Sequence, residues 1–171
     1  GDLGSVYKTK DTKDKRIVAL RLISPELGLK EADIEKLREK IREASALTHR
    51  NVRATYGMGV EDNKTVYIAT EWIDGRNLRA LLKKRTDEGK RFSFKGAYNI
   101  IGHICNALTH VHKETFHGTL SPRAIMVTDA GRVKISDFGL SEIRLNMIAS
   151  GGGDKIEATF WAPEVTKDFP N

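Results

Sequence analysis

Apolar positions along the chain alternate with polar ones at two periods, and the switches between those periods outline its elements. Leu3 to Lys8 and Arg16 to Ile23 are strand-like runs separated by the polar stretch Asp11-Thr12-Lys13-Asp14-Lys15, which predicts a hairpin. From Glu31 to Leu47 the apolar residues Ile34, Leu37, Ile41, Ala44 and Leu47 step by three or four with charges between them, the pattern of an amphipathic helix that Thr48-His49-Arg50-Asn51-Val52 ends. Val52 to Tyr56 and Thr65 to Thr70 read as further strands around the turn Glu61-Asp62-Asn63-Lys64, and Glu71-Trp72-Ile73 runs into an Asp74-Gly75 turn. A short helix over Leu78 to Lys84 and a longer one marked by Ala97, Ile100, Ile101, Ile104, Leu108 and Val111 follow. Ile125-Met126-Val127, the turn Asp129-Ala130-Gly131, and Val133-Lys134-Ile135 form a second hairpin. Leu140 to Thr159, with its glycines at 151, 152 and 153, has weak apolar periodicity and is expected to be a mobile loop.

Composition narrows the class without naming it. The 171 residues suit one domain, and 39% apolar residues suffice for a folded core. No run approaches the roughly 18 apolar residues of a membrane-spanning helix, and the chain opens on nothing like a signal peptide, so a cytoplasmic location is expected. Cys105 is the lone cysteine; it cannot form an internal disulfide and, among apolar neighbours, reads as a small core residue. The net charge of +6 is spread through most segments. Its densest groups, Lys83-Lys84-Arg85 and Lys90-Arg91, lack the interleaved aromatic residues of a nucleic-acid surface and read as solvated faces. His103 and His110 have no clustered cysteine or carboxylate to complete a zinc site.

Candidate chemistry concentrates in His117-Gly118-Thr119-Leu120-Ser121-Pro122-Arg123-Ala124 and in Asp137-Phe138-Gly139. In order along the chain stand Gly1-x-x-Gly4-x-Val6, Val18-Ala19-Leu20-Arg21, Glu71 to Gly75, these two stretches, and Ala162-Pro163-Glu164. Each is weak alone, but together, in this order and at this spacing, they resemble the signature set of the protein kinases. The resemblance runs over nearly the whole chain. It implies an α+β, bilobal fold: a small antiparallel β-sheet lobe with one helix and hinge over residues 1–73, then a mainly helical, partial large lobe over 74–171, beginning near Asn77. Relative to the family pattern the chain looks truncated at both ends, since a first strand, the first glycine and the helices after Ala-Pro-Glu are missing.

What the resemblance implies for chemistry is uneven. The family's catalytic aspartate falls on Thr119, which has no carboxylate, and its second metal ligand, an asparagine, on Ala124, which has no donor. The lysine that steadies the transferred phosphate falls on Ser121, and the arginine that reads loop phosphorylation on Gly118. Lys40 stands where a glutamate would pair with the strand cation, leaving Glu39 or Glu43 as shifted partners for Arg21. By contrast, Asp137 remains as an expected Mg2+ ligand. Gly1, Gly4, Val6, Ala19, Arg21, Thr70, Glu71, Ile73, Met126 and Asp137 are the expected contacts of ATP or ADP. His117 and Phe138 are expected to stack in the apolar column that links the lobes. The chain is therefore expected to be a pseudokinase, binding a protein partner or nucleotide as scaffold or regulator, with no nucleic-acid partner and no membrane segment. The alternatives are a weakly active or atypical serine/threonine kinase and a pure interaction module with an empty cleft.

Overall fold

The structure is a computed structural model that describes residues 3–61, 65–152 and 159–166. The first hairpin forms as its pattern demands: β1 (Gly4–Lys10) pairs antiparallel with β2 (Ile17–Ile23), and Asp11 Oδ1 accepts the backbone N–H groups of Lys13 and Asp14 at the turn. Gly4 enters this hairpin with φ +138°, so close to the Leu22 carbonyl that a Cβ atom would lie 1.8 Å from that oxygen. The second pair, β3 (Thr55–Val60) and β4 (Val66–Glu71), completes a four-stranded sheet in the order β1-β2-β4-β3. Most of the turn between them, residues 62–64, lies outside the described residues.

Helix α1 (Glu31–Ala46) opens with Lys30 N–H donating to Asp33 Oδ2 at 3.0 Å and turns Leu37, Ile41 and Ala44 inward. Leu37 and Ile41 meet Leu3, Ile23, Val66 and Ile68 in the core beneath the four-stranded sheet. Its C-terminal end joins a second cluster with Leu47, Val52, Ala107, Val111, Ile135 and Phe138. The two clusters share α1, so the helix spans the junction between the sheet and the helical half.

In the other lobe β5 (Gly75–Asn77), β6 (Ile125–Thr128) and β7 (Val133–Ile135) form a three-stranded sheet in that order. Helix α2 (Leu78–Asp87) is capped by Asn77, whose Oδ1 accepts Ala80 N–H at 2.8 Å, and α3 (Phe94–Val111) by Ser93, whose Oγ accepts Gly96 N–H at 3.1 Å. The last helices are α4 (Ser141–Ala149) and α5 (Pro163–Thr166). No described helix is long and apolar enough to cross a membrane.

Three sequence expectations change. The strand expected at Val52 to Tyr56 starts instead at Thr55, because Val52 bridges in parallel to Ile135 and Arg53 N–H donates to the Ile135 carbonyl at 2.8 Å. That stretch ties the lobes together rather than extending the small sheet. The expected mobile loop after Leu140 begins with α4. Leu140, Ile143 and Met147 sit three and four residues apart, and all bury against α1's Leu37 and Ile41. The helix closes with Gly151 and Gly152 N–H groups on the carbonyls of Ile148 and Met147; Gly153 lies outside the described residues. Finally, Cys105 is exposed, and so is Ile101 at 58%. Helix α3 is apolar on more than one face, and only the side carrying Ile100, Ala107 and Val111 turns into the core.

Candidate functional site

Asp137 stands two residues after the end of β7, and Ser136 between them is pinned from the first loop. Ser136 N–H and Ser136 Oγ both bond the Ala124 carbonyl, at 2.7 and 3.1 Å, and His117 Nε2 donates to the Ser136 carbonyl at 2.8 Å. A carbonyl can only accept, so the His117 proton sits on Nε2. Its ring meets Phe138 edge-on at 4.8 Å, which places the expected stack in the structure. Burial holds the His117 imidazole below its ordinary pKa, so the ring is neutral at neutral pH. Asp137 itself takes φ +66°, and Gly139 takes φ +82° with a would-be Cβ 2.8 Å from the Lys40 carbonyl of α1. A side chain at position 139 would push the loop off α1.

The Asp137 carboxylate is taken on both oxygens. Oδ1 meets Arg21 Nη2 from β2 at 3.3 Å, and Oδ2 meets Arg144 Nη2 from α4 at 2.8 Å. Side-chain exposures of 14% for Arg21, 11% for Asp137 and 5% for Arg144 mean that water screens these pairs weakly. Burial alone would raise the carboxyl's pKa, but Arg21, Arg144 and Arg53 together outweigh it and hold the acid below the usual carboxylate value. The side chain is an anion throughout the neutral range.

Glutamate pairing on α1 is different from the expectation. Lys40 Nζ takes Glu43 Oε2 at 3.0 Å on an exposed face, and Glu39 is likewise exposed, while Arg21 turns to Asp137. The junction carries its own polar lock. Glu71 Oε2 accepts from Lys134 Nζ at 2.8 Å and from Ala54 N–H at 3.2 Å, and the Glu71 carbonyl accepts from Arg53 Nε at 2.8 Å.

The cleft between the lobes is a cavity of about 300 Å³. Of the expected nucleotide contacts, Val6, Arg21, Ile73, Met126 and Asp137 line it. Thr70 lines a small recess behind it, again with Val6, Arg21 and Asp137. Ala19 is buried beside Thr70, whose Oγ1 donates to the Ala19 carbonyl at 3.4 Å. Gly4 and Glu71 do not line the cavity, and Gly1 lies outside the described residues. Thr119 and Ala124 are buried, at 1% and 3% exposure, within the loop's packing.

Sequence reasoning missed Arg53, Arg123 and Arg144, which also line the cavity. The three-and-four spacing of Leu140, Ile143 and Met147 was the available signal for α4, and hence for where Arg144 points. For Arg53 no local pattern exists. No group of three or more His, Cys, Asp or Glu side chains able to hold a metal occurs among the described residues.

Residues 1–170 match the family model described as "Protein tyrosine and serine/threonine kinase". The chain is 33% identical over 149 residues to the MAP kinase kinase MKK1/SSP32 of Saccharomyces cerevisiae, covering 86% of this chain and 29% of that protein. It is 34% identical over 143 residues to an Aurora kinase of Schizosaccharomyces pombe, covering 82% and 39%. The serine/threonine-protein kinase PrkC of Bacillus subtilis is 29% identical over 142 residues, covering 82% and 21%. The chain thus spans between about a fifth and two fifths of these relatives' length. Among solved structures, the PknI kinase domain of Mycobacterium tuberculosis superposes with a TM-score of 0.70 at 20% identity, covering 80% of this chain and 55% of that one. The family model matches nearly the whole length and the fold match covers four fifths of it, and the chain belongs to the protein tyrosine and serine/threonine kinase family.

Proposed function

We propose that this domain is a pseudokinase, a nucleotide-responsive module that regulates or scaffolds a protein partner in signalling rather than transferring phosphate. The observation that carries this is Thr119, buried to 1% exposure at the position of the family's catalytic base. A hydroxyl of that kind cannot accept the substrate proton at neutral pH, and losing a general base typically costs about 10² to 10⁴ in rate. Ala124 adds no oxygen for a second metal ion, and the carboxylate of Asp137 is already engaged by two guanidiniums.

The test is incubation of the purified chain with labelled ATP and Mg2+ or Mn2+, with a generic protein substrate. The expected result is no transfer above background. Incorporation that disappears in an Asp137→Ala variant would overturn the reading.

A second reading, a weakly active serine/threonine kinase, is favoured by the retained Asp137-Phe138-Gly139 and by the names of the relatives. It requires α4 to release Arg144. A Thr119→Asp, Ala124→Asn double variant that gains activity only when Arg144→Ala is added would support it.

A further inference from the structure

The lining of the cleft has an unusual charge balance for a site that works through metal ions. Among the described residues it carries four arginines, Arg21, Arg53, Arg123 and Arg144, against one carboxylate, Asp137. Mg2+ binds through oxygen ligands in near-octahedral geometry and gains most from carboxylates. Here the carboxylate has Arg21 on Oδ1 and Arg144 on Oδ2, and the backbone holds it there with φ +66°. A cation entering at Asp137 would have to displace a guanidinium from a nearly dry ion pair and then sit among like charges. The donor set does not fit Mg2+.

The same residues suit an anion. Guanidinium groups match phosphate oxygens two at a time and stay charged at every accessible pH. Weak screening in a half-enclosed cleft strengthens such contacts. Beside the arginines, the cavity presents the apolar side chains of Val6, Ile73 and Met126, a slot for a flat base.

We propose that the cleft binds a nucleoside polyphosphate in its metal-free form, with the arginines supplying the positive charge that Mg2+ supplies in a phosphotransfer site. This rests on the reading of the cleft as a nucleotide site. Arg144 plays a double part: it neutralises Asp137 and, with Arg21, faces the phosphates. Binding then stabilises the docked position of α4 instead of expelling it.

The experiment is calorimetric titration of the chain with ATP in EDTA, with ATP in excess Mg2+, and with inorganic tripolyphosphate in EDTA. Binding in EDTA at least as tight as in Mg2+, and about tenfold tighter than tripolyphosphate, is expected. Binding only with Mg2+ overturns the proposal while leaving the nucleotide reading intact. No binding in any arm removes the nucleotide reading, and the proposal with it. Tripolyphosphate binding as tightly as ATP overturns the nucleoside assignment.

An Asp137→Asn variant, checked for folding by circular dichroism, separates the alternatives at the residue level. Removing a negative charge from the cleft is expected to tighten metal-free ATP several-fold, whereas loss of binding overturns the proposal. Because that change leaves buried guanidiniums short of a partner, the half-buried Arg123 provides an independent arm. Arg123→Gln is expected to weaken ATP in EDTA about fivefold, and unchanged affinity counts against the arginine cradle.

Discussion

The loops from His117 to Ala124 and from Asp137 to Arg144 depart from the family's residue pattern by opposite routes. In the loop from His117 to Ala124 the backbone is held in place, with His117 bonded to the Ser136 carbonyl and Ser136 to the Ala124 carbonyl, but Thr119 offers only a hydroxyl and Ala124 no polar group. In the loop from Asp137 to Arg144 the residue types are retained at Asp137-Phe138-Gly139, but the carboxylate is engaged by arginines and the following segment is folded as α4. The first departure is one of composition. The second is one of conformation, held by burial and charge. The contacts that shape a loop are thus separable from the side chains it presents.

This contrast is sharpest in stability. Replacing Arg144 by Met leaves Asp137 buried with Arg21 as its remaining partner in the pair of salt bridges, and breaking a buried pair by removing one member costs about 3–5 kcal/mol. Urea unfolding of the variant should show a loss of that order. A change below about 1 kcal/mol would mean that the loop at Asp137 is as loosely held as a surface ion pair.

Next in size is the apolar anchor of the same segment. Met147→Ala empties a position only 7% exposed beneath α1 and is expected to cost about 2–3 kcal/mol. Hydrogen exchange should then rise across residues 141–149 before it rises in α3. Uniform loss of protection would tie α4 to global unfolding and erase the distinction between the loops.

The pH dependence probes the first loop and the junction behind it. Burial lowers the pKa of both His117 and His49; for His49, which stacks on His110 at 5.1 Å, the nearby His110, Arg50 and Lys134 add to this. A histidine whose folded pKa lies below its unfolded value of about 6.5 binds fewer protons folded than unfolded, so stability falls as pH drops below that value. Asp137 works in a lower window, because its depressed pKa supports the fold above the ordinary carboxylate value and is lost only as pH falls beneath it. Urea midpoints should therefore decline from pH 7 to 5, and His49→Gln should flatten part of that slope. A midpoint unchanged between these pH values would place both rings in water.

The smallest effect is expected in the first loop. Thr119→Val keeps shape while removing a buried hydroxyl that has no hydrogen-bond partner among the described residues, so stability should change by less than about 1 kcal/mol, with a gain as the favoured sign. A loss of 2 kcal/mol or more would give Thr119 a structural bond and weaken the view of this loop as an inert scaffold.

Much of the fold was readable because its signals are local. The Asp11 turn, the Leu37-Ile41-Ala44 stripe of α1, the Ser93 cap of α3 and the second hairpin each act through neighbours in sequence. The failures share one cause. Alternation places Val52 in the small sheet but cannot say which partner a strand edge will meet, and Val52 bridges to Ile135 in the other lobe. Cys105 reads as a core residue from its apolar neighbours yet is exposed, as is Ile101, because a helix apolar on two faces does not say which face is covered. Helix α4 is hidden in the sequence because a glycine run and charged residues dilute a stripe that α1 completes.

The candidate site divides in the same way. Residue identity alone determined that Thr119 cannot act as a base and that Ala124 cannot hold a metal, since no fold can supply a missing functional group. It also determined the order of segments that marks the family. Only the tertiary structure decided what Asp137 does with its charge. Its partners come from β2 and α4, distant in sequence from each other, and burial fixes which ion pairs are strong enough to matter. The arginines that make the cleft cationic are scattered from position 21 to position 144, and a charge balance of this kind exists only once the chain has brought them together.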